Sequence, residues 1–177
     1  PAETGLSPPR SALLLANANS RNGGAMDDAR RALEKVGLAV TAIRTESRNE
    51  LTPLISEHGG NVDCIVAAGG DGTMNGVADG VIQTGLPLGV LPMGTANDLA
   101  RTLGIPTDLD AAAAVIAAGR LQRIDVGEVN EHAFFNVASI GLSAELAAGL
   151  TPERKRRFGR LAYALTAINV LARARPF

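Results

Sequence analysis

"VDCIVAAGGDGTMNGVADGVIQTG", residues 62–85, is the stretch on which the reading of this chain turns. From Val62 to Gly70 only Asp63 is charged, and an apolar run without strict alternation is the signature of a strand buried on both faces. From Thr73 the pattern becomes helical, and Gly85 stops it. Between strand and helix stand Gly69, Gly70 and Gly72, with Gly76 close behind, interleaved with Asp71 and Thr73. Glycine in such density is entropically costly unless the backbone must turn sharply or be approached closely. A tight strand-to-helix turn needs one or two. Four put bare N–H groups at a helix N-terminus, where the dipole favours an anion, and phosphate is the natural candidate.

The same strand-and-helix cycle extends in both directions. "SALLLAN" (11–17), "LAVTAIRT" (38–45) and "PLGVLP" (87–92) read as further strands. Helices are expected over 24–37, 48–60, 73–85, 95–104 and 108–119. Apolar strands alternating with helices predict an α/β domain, a parallel sheet with helices on both faces, over residues 11–120. Ligands of such sheets bind outside the carboxyl ends of the strands. Three unusual loops, 17–24, 69–73 and 92–98, fall at that edge.

Bulk composition narrows the function classes. The 177 residues carry 17 basic and 18 acidic side chains, and aromatics make up 3% with no Trp. Neither a general nucleic-acid surface nor a base-stacking platform is indicated. The single cysteine, Cys64, lies in the apolar run, which fits an inert buried thiol and excludes an internal disulfide framework. No apolar stretch approaches the ~20 residues of a membrane span. His58 and His132 lack the neighbours of a zinc site or a nucleophilic triad and read as structural or surface residues.

Residues 1–10 hold three prolines and read as a loose leader. After residue 120 the rhythm changes. "LQRIDVGEVN" and "EHAFFNVASIG" (121–141) predict a hairpin with Asn130–Glu131 near its turn, and 121–177 reads as the incomplete start of a second domain. "RKRR" (154–157) beside Phe158 is either a solvated helix start or a contact for anionic lipid. The chain opens on Pro and stops at "ARARPF", so it is read as a fragment.

The loops suit a nucleoside triphosphate better than the common phosphate motifs do. There is no P-loop lysine, and Gly70, Gly72 and Gly76 are one residue off a dinucleotide fingerprint. Asp71 would repel phosphate unless a divalent cation lay between them, which points to Mg²⁺ and a nucleoside triphosphate arriving together. "LPMGTANDLA" (91–100) repeats the device with Gly94, Thr95, Asn97 and Asp98. Capping accounts equally well for Thr95 and Asp98, with Thr95 as N-cap, though not for Gly94 and Asn97. "NANSRNGG" (17–24) adds Asn17, Ser20, Arg21 and Asn22, and a plain turn is its alternative.

"GGDGT" (69–73) followed by "PMGTAND" (92–98) resembles the catalytic domain of the diacylglycerol kinase and sphingosine kinase family, above all its bacterial lipid kinase branch. NAD kinases and phosphofructokinases carry similar first loops on a related fold; the second loop narrows the resemblance. "LLLANANSRNG" (13–23) resembles the family's first strand and phosphate loop, with Ala18 in place of its common proline, and residues 124–146 resemble the start of its β-rich second domain. The resemblance implies transfer of the γ-phosphoryl of ATP to a lipid hydroxyl by a cytoplasmic enzyme, peripheral at the inner membrane face. It implies that Asn17 and Ser20 lie near the phosphates, that Thr45 borders the nucleotide, that Gly69, Gly70, Asp71, Gly72, Thr73 and Asn75 wrap the triphosphate, and that Gly94, Thr95 and Asn97 complete the contact. Asp71 and Asp98 are the candidates for the catalytic and Mg²⁺ network. The general base is expected beyond Phe177, in an L-D-G-E-like motif, so these residues alone are expected to bind nucleotide weakly and turn over little lipid. An NAD kinase-like enzyme and a non-catalytic nucleotide or lipid sensor are the alternatives. The acceptor lipid is not legible, and a homodimer stays open.

Overall fold

In the computed structural model, residues 4–5, 7–17 and 24–135 are described. They fall in one compact unit, Pro1–Asn136; a second, Val137–Phe177, lies outside the described residues, as do Ser20, Arg21, Asn22 and the basic cluster 154–157. The domain division at residue 120 stays a proposal.

Four strands form the central sheet: β2 (Ser11–Asn17), β3 (Ala39–Thr45), β4 (Cys64–Gly69) and β5 (Leu88–Pro92), after a two-residue β1 (Thr4–Gly5). Their order is β3-β2-β4-β5, and every pairing is parallel. The central strands show why their sequences are apolar throughout. In β2, Ala12, Leu14 and Ala16 enter one core cluster while Leu13 and Leu15 enter the other, and β4 divides likewise, with Cys64, Val66 and Ala68 against Ile65 and Ala67. A strand with period two and a helix layer on either side has no polar face to spend.

The helices are α1 (Ala25–Lys35), α2 (Leu51–His58), α3 (Asp71–Thr84), α4 (Asp98–Thr102) and α5 (Leu109–Ala117). Met26, Ala29 and Leu33 of α1 pack with Ala112 and Ala113 of α5 on one face. Leu51 and Ile55 of α2, Met74 and Val77 of α3, and Leu99 and Ala100 of α4 cover the other. The parallel sheet with helices on both faces is therefore as the sequence predicts. Chain direction across the sheet reverses at β2, whose neighbours are β3 and β4. Helix α1, which follows β2, and helix α3, which follows β4, lie on opposite faces of the sheet, and such a reversal is where open α/β sheets bind ligands.

Beside the glycine-bearing loops, two helix starts differ from the sequence reading. Helix α3 begins at Asp71 rather than Thr73, and α4 begins at Asp98 rather than Thr95. Asn97 is the reason in the second case: its left-handed backbone (φ 52°, ψ 47°) does not continue a helix, so Thr95 is not the N-cap. Thr4 and Gly5, in the segment read as a leader, pair antiparallel with Leu121 and Arg120 of β6 (Arg120–Leu121). Strands β7 (Gly127–Val129) and β8 (His132–Phe134) form the expected hairpin. Asn130 and Glu131 both take positive φ at its turn, the geometry that matches the twist of a two-residue hairpin.

Candidate functional site

Two loops meet at the carboxyl edge of the sheet, one after β4 and one after β5. The Met93 amide donates to the Gly69 carbonyl at 3.0 Å, which carries the β4–β5 ladder one step beyond the strands. Gly70 and Gly94 then lie back to back. A Cβ on Gly70 would stand 3.1 Å from the Gly94 Cα, and one on Gly94 would stand 3.1 Å from the Gly70 amide nitrogen and 2.8 Å from the Asn97 Oδ1. The approach leaves no room for side chains on either residue.

The four glycines of the first loop thus have different causes. Gly69 makes way for Thr73, whose Cβ would be 2.7 Å from an added methyl, so the first turn of α3 folds down onto the end of β4. Gly70 makes way for the second loop. Gly76 sits inside α3 and serves helix packing, since its Cβ would stand 2.5 Å from the Leu51 Cδ1 of α2. Gly72 alone among them faces open space and is exposed. It is where a ligand could come down on the backbone without meeting a side chain.

Helix α3 opens on Gly70, so its N-terminus has no side-chain cap. The Gly70 carbonyl accepts from the amides of Thr73 and Met74 at 2.9 and 3.1 Å, which closes the first turn behind the rim. A fourteen-residue helix directs its positive dipole end at this point. Asp71, in the first turn and half-buried, uses Oδ1 to accept from the Leu99 amide at 3.2 Å. That amide belongs to the first turn of α4, so Asp71 substitutes for the cap that the Asn97 side chain does not provide. Asp98 follows at the surface, and its carbonyl accepts from the Thr102 hydroxyl.

Asn97 is buried, with 9% of its surface exposed, and its carboxamide closes on Gly94 twice. Oδ1 accepts from the Gly94 amide at 2.8 Å, and Nδ2 donates to the Gly94 carbonyl at 2.9 Å. Thr95 and Ala96, between them, are exposed. The crevice below the two loops, lined by Gly69, Gly70, Asp71, Met74, Pro92 and Asn97 among others, is too narrow for water. A ligand therefore has to lie on this rim rather than beneath it. A larger groove of about 340 Å³ lies elsewhere, between α1 and α5, where Arg31 pairs with Asp28 and Lys35 with Asp110, so its charges are spent on one another.

Not every expected site residue joins this rim. Asn17 ends β2 opposite Thr45, so the backbone of both is at the carboxyl edge. The Thr45 side chain, 1% exposed, turns inward and its hydroxyl donates to the Ala16 carbonyl at 3.5 Å. Ser20 lies outside the described residues. Asn75 is engaged structurally: its Oδ1 accepts from the Phe135 amide at 3.0 Å, and its carbonyl accepts from the Arg48 guanidinium at 3.0 Å. One turn further along α3, Asp79 accepts from the Ala133 amide at 2.8 Å and contacts His132 Nδ1 at 3.2 Å. The Ala133 amide chiefly, aided by His132 and Arg48, holds the Asp79 carboxyl below the usual carboxylate range. Sequence reasoning missed Asp79. Its spacing of four from Asn75 places both on one helix face, but the partner strand lies 54 residues away, and no local signal names it.

Among the described residues no three His, Cys, Asp or Glu side chains cluster as a self-sufficient metal site. Asp71 and Asp98 supply hard carboxylate oxygens of the kind Mg²⁺ takes one or two at a time, with phosphate and water completing its shell.

The sequence pattern and this rim meet in one family. Residues 11–129 match the model of the diacylglycerol kinase catalytic domain. The chain belongs to the diacylglycerol kinase catalytic domain family. A diacylglycerol kinase of Staphylococcus saprophyticus is 35% identical over 142 residues, covering 78% of this chain and 47% of the relative. One from Bacillus subtilis is 43% identical over 117 residues, covering 64% of this chain and 39% of the relative. A crystal structure of a diacylglycerol kinase from Bacillus anthracis superimposes with a TM-score of 0.63 at 28% identity, over 72% of this chain and 50% of that one. The chain thus spans about half, or less, of the length of these relatives. Within the family match fall both glycine-bearing loops and every described candidate site residue.

Proposed function

We propose that this chain carries the nucleotide-binding part of an ATP-dependent lipid kinase, which transfers the γ-phosphoryl group of ATP to a hydroxyl of a diacylglycerol-like lipid at a membrane surface. The observation that carries the reading is the α3 N-terminus: uncapped by any side chain, opened by Gly72, and flanked by a second loop locked against it through Gly70 and Gly94.

On this reading the amides at the start of α3 and the Thr73 and Thr95 hydroxyls receive the phosphate chain, with the helix dipole favouring its charge. Asp71 and Asp98 would hold Mg²⁺ together with phosphate oxygens; that ion supplies charge neutralisation on the phosphates. The lipid oxygen forms the new bond to the γ-phosphorus, the bond to the β-bridging oxygen breaks, and ADP leaves. The hydroxyl proton passes to a carboxylate belonging to the part of the relatives that this chain does not match. What these residues contribute is therefore position and charge, which account for most of phosphoryl-transfer catalysis.

The test is an amide-resolved NMR titration of the 177-residue chain with ADP and Mg²⁺. The largest changes are expected at Gly70–Thr73 and Gly94–Asn97. Saturable binding that left both segments unmoved would reject the reading.

A further inference from the structure

Asn97 pays for its place with backbone strain, since a non-glycine residue at φ 52° sits in a sparsely populated region. What its side chain does there is unusually well defined. One carboxamide orientation satisfies both Gly94 groups at once: the oxygen on the amide at 2.8 Å and the nitrogen on the carbonyl at 2.9 Å. The flipped orientation would set donor against donor and acceptor against acceptor. The four residues Gly94–Asn97 are thereby closed into a ring at its base, with Thr95 and Ala96 exposed at its tip. The ring is anchored on both sides to the glycine loop, by Met93 to the Gly69 carbonyl before it and by Leu99 to the Asp71 carboxylate after it.

We infer that Asn97 is a positioning residue for nucleotide binding: its carboxamide, closed on both polar groups of Gly94, holds Thr95 in one place beside the first turn of α3. This inference rests on the phosphate-binding reading of the rim given above and replaces the expectation that Asn97 contacts the nucleotide. A buried carboxamide with both of its atoms spent on Gly94 is poorly placed to be a ligand. It is well placed to remove the loop's freedom before a ligand arrives, which is how rigid loops gain affinity.

The experiment compares the parent chain with Asn97→Gly and Asn97→Asp by three measurements. These are hydrogen exchange at the Gly94 amide, affinity for ADP with Mg²⁺, and the thermal midpoint. Glycine accepts the left-handed backbone, so Asn97→Gly removes the latch while relieving strain. It is expected to keep a thermal midpoint near the parent's, to speed Gly94 exchange about tenfold or more, and to weaken ADP binding by about tenfold, as loss of the two hydrogen bonds implies. Asn97→Asp keeps the acceptor for the Gly94 amide but sets a carboxylate oxygen against the Gly94 carbonyl, so its exchange and affinity are expected to fall between the other two. Asp79→Asn, away from the rim, serves as comparator and should change the midpoint without changing affinity. Gly94 exchange unaltered in Asn97→Gly would overturn the latch. Faster exchange with unaltered affinity would overturn the positioning role. A parent chain whose rim amides ignore ADP and Mg²⁺ would overturn the reading of the site, and the role with it, and is told apart because Gly94 exchange would still respond to the substitution.

Discussion

At the scale of single residues, glycines that look alike in the sequence are held by different constraints. An added methyl at Gly94 meets backbone atoms of Gly70, which cannot rotate away as a flexible side-chain end could. Gly94→Ala is therefore expected to destabilise the fold by about 1–3 kcal/mol, as overpacking generally does, read as a drop of several degrees in thermal midpoint. Gly72→Ala meets nothing within 4 Å, so stability should stay within about 0.5 kcal/mol. It should nevertheless weaken ADP binding, because the methyl occupies the open approach to α3. Equal stability losses at the two positions would contradict this division. That Gly69–Thr73 form a special loop is legible in the sequence, because no ordinary turn needs so many glycines. That Gly76 belongs to the packing of α3 on α2 is not, since only the neighbouring helix shows it.

At the scale of elements, the hairpin is tied to α3 by side chains acting where a third strand would otherwise pair. Asn75 and Asp79 accept the amides of Phe135, just past β8, and of Ala133 within it, which alternate along one edge and point away from β7. An edge so occupied is closed to other strands. Because the folded-state pKa of Asp79 is lowered, its contribution is complete above the ordinary carboxylate value of about 4 and is lost as pH falls through the lower folded value. Asp79→Asn should accordingly flatten the acid limb of stability, giving a smaller change in thermal midpoint between pH 6 and pH 3 than the parent shows. An unchanged difference would mean that the charge is not what holds the strand. The hairpin and its turn at Asn130–Glu131 are readable from the sequence, whereas the surface that receives them is not. Helix α4 shows the same limit. Thr95 with Asp98 has the spacing of a capping pair, yet the structure begins the helix at Asp98 and takes its cap from Asp71, 28 residues away. Local spacing cannot weigh a competitor that distant.

At the scale of the whole molecule, the two core clusters lie on opposite faces of the sheet, Ile105 touches both beyond its strands, and the central strands β2 and β4 are buried on both sides. Cys64 sits at the start of β4 with 3% of its surface exposed, and burial pushes its thiol up to about 11. At pH 8 the native chain should react with thiol reagents on the order of a hundredfold more slowly than the denatured chain, from thiolate fraction alone. Comparable rates would show that the sheet opens readily. Among the described residues no helix is long and apolar enough to cross a membrane. Strand order contributes what no single element holds: β4 and β5 are parallel neighbours, so the loops after them leave from the same edge of the sheet side by side.

The sequence by itself determined the layers and the place of the rim. Uninterrupted apolar strands alternating with helices admit little besides a covered parallel sheet, and dense glycines mark where its loops and helices pack closely at the carboxyl edge. Only the tertiary structure decided which groups are available there. It drew Thr45 inward to the Ala16 carbonyl, gave Asn75 to the hairpin, closed Asn97 on Gly94, and turned one oxygen of Asp71 to Leu99. The physical reason is that each polar group settles on the best partner within reach, and reach is set by the packing of segments far apart in the chain.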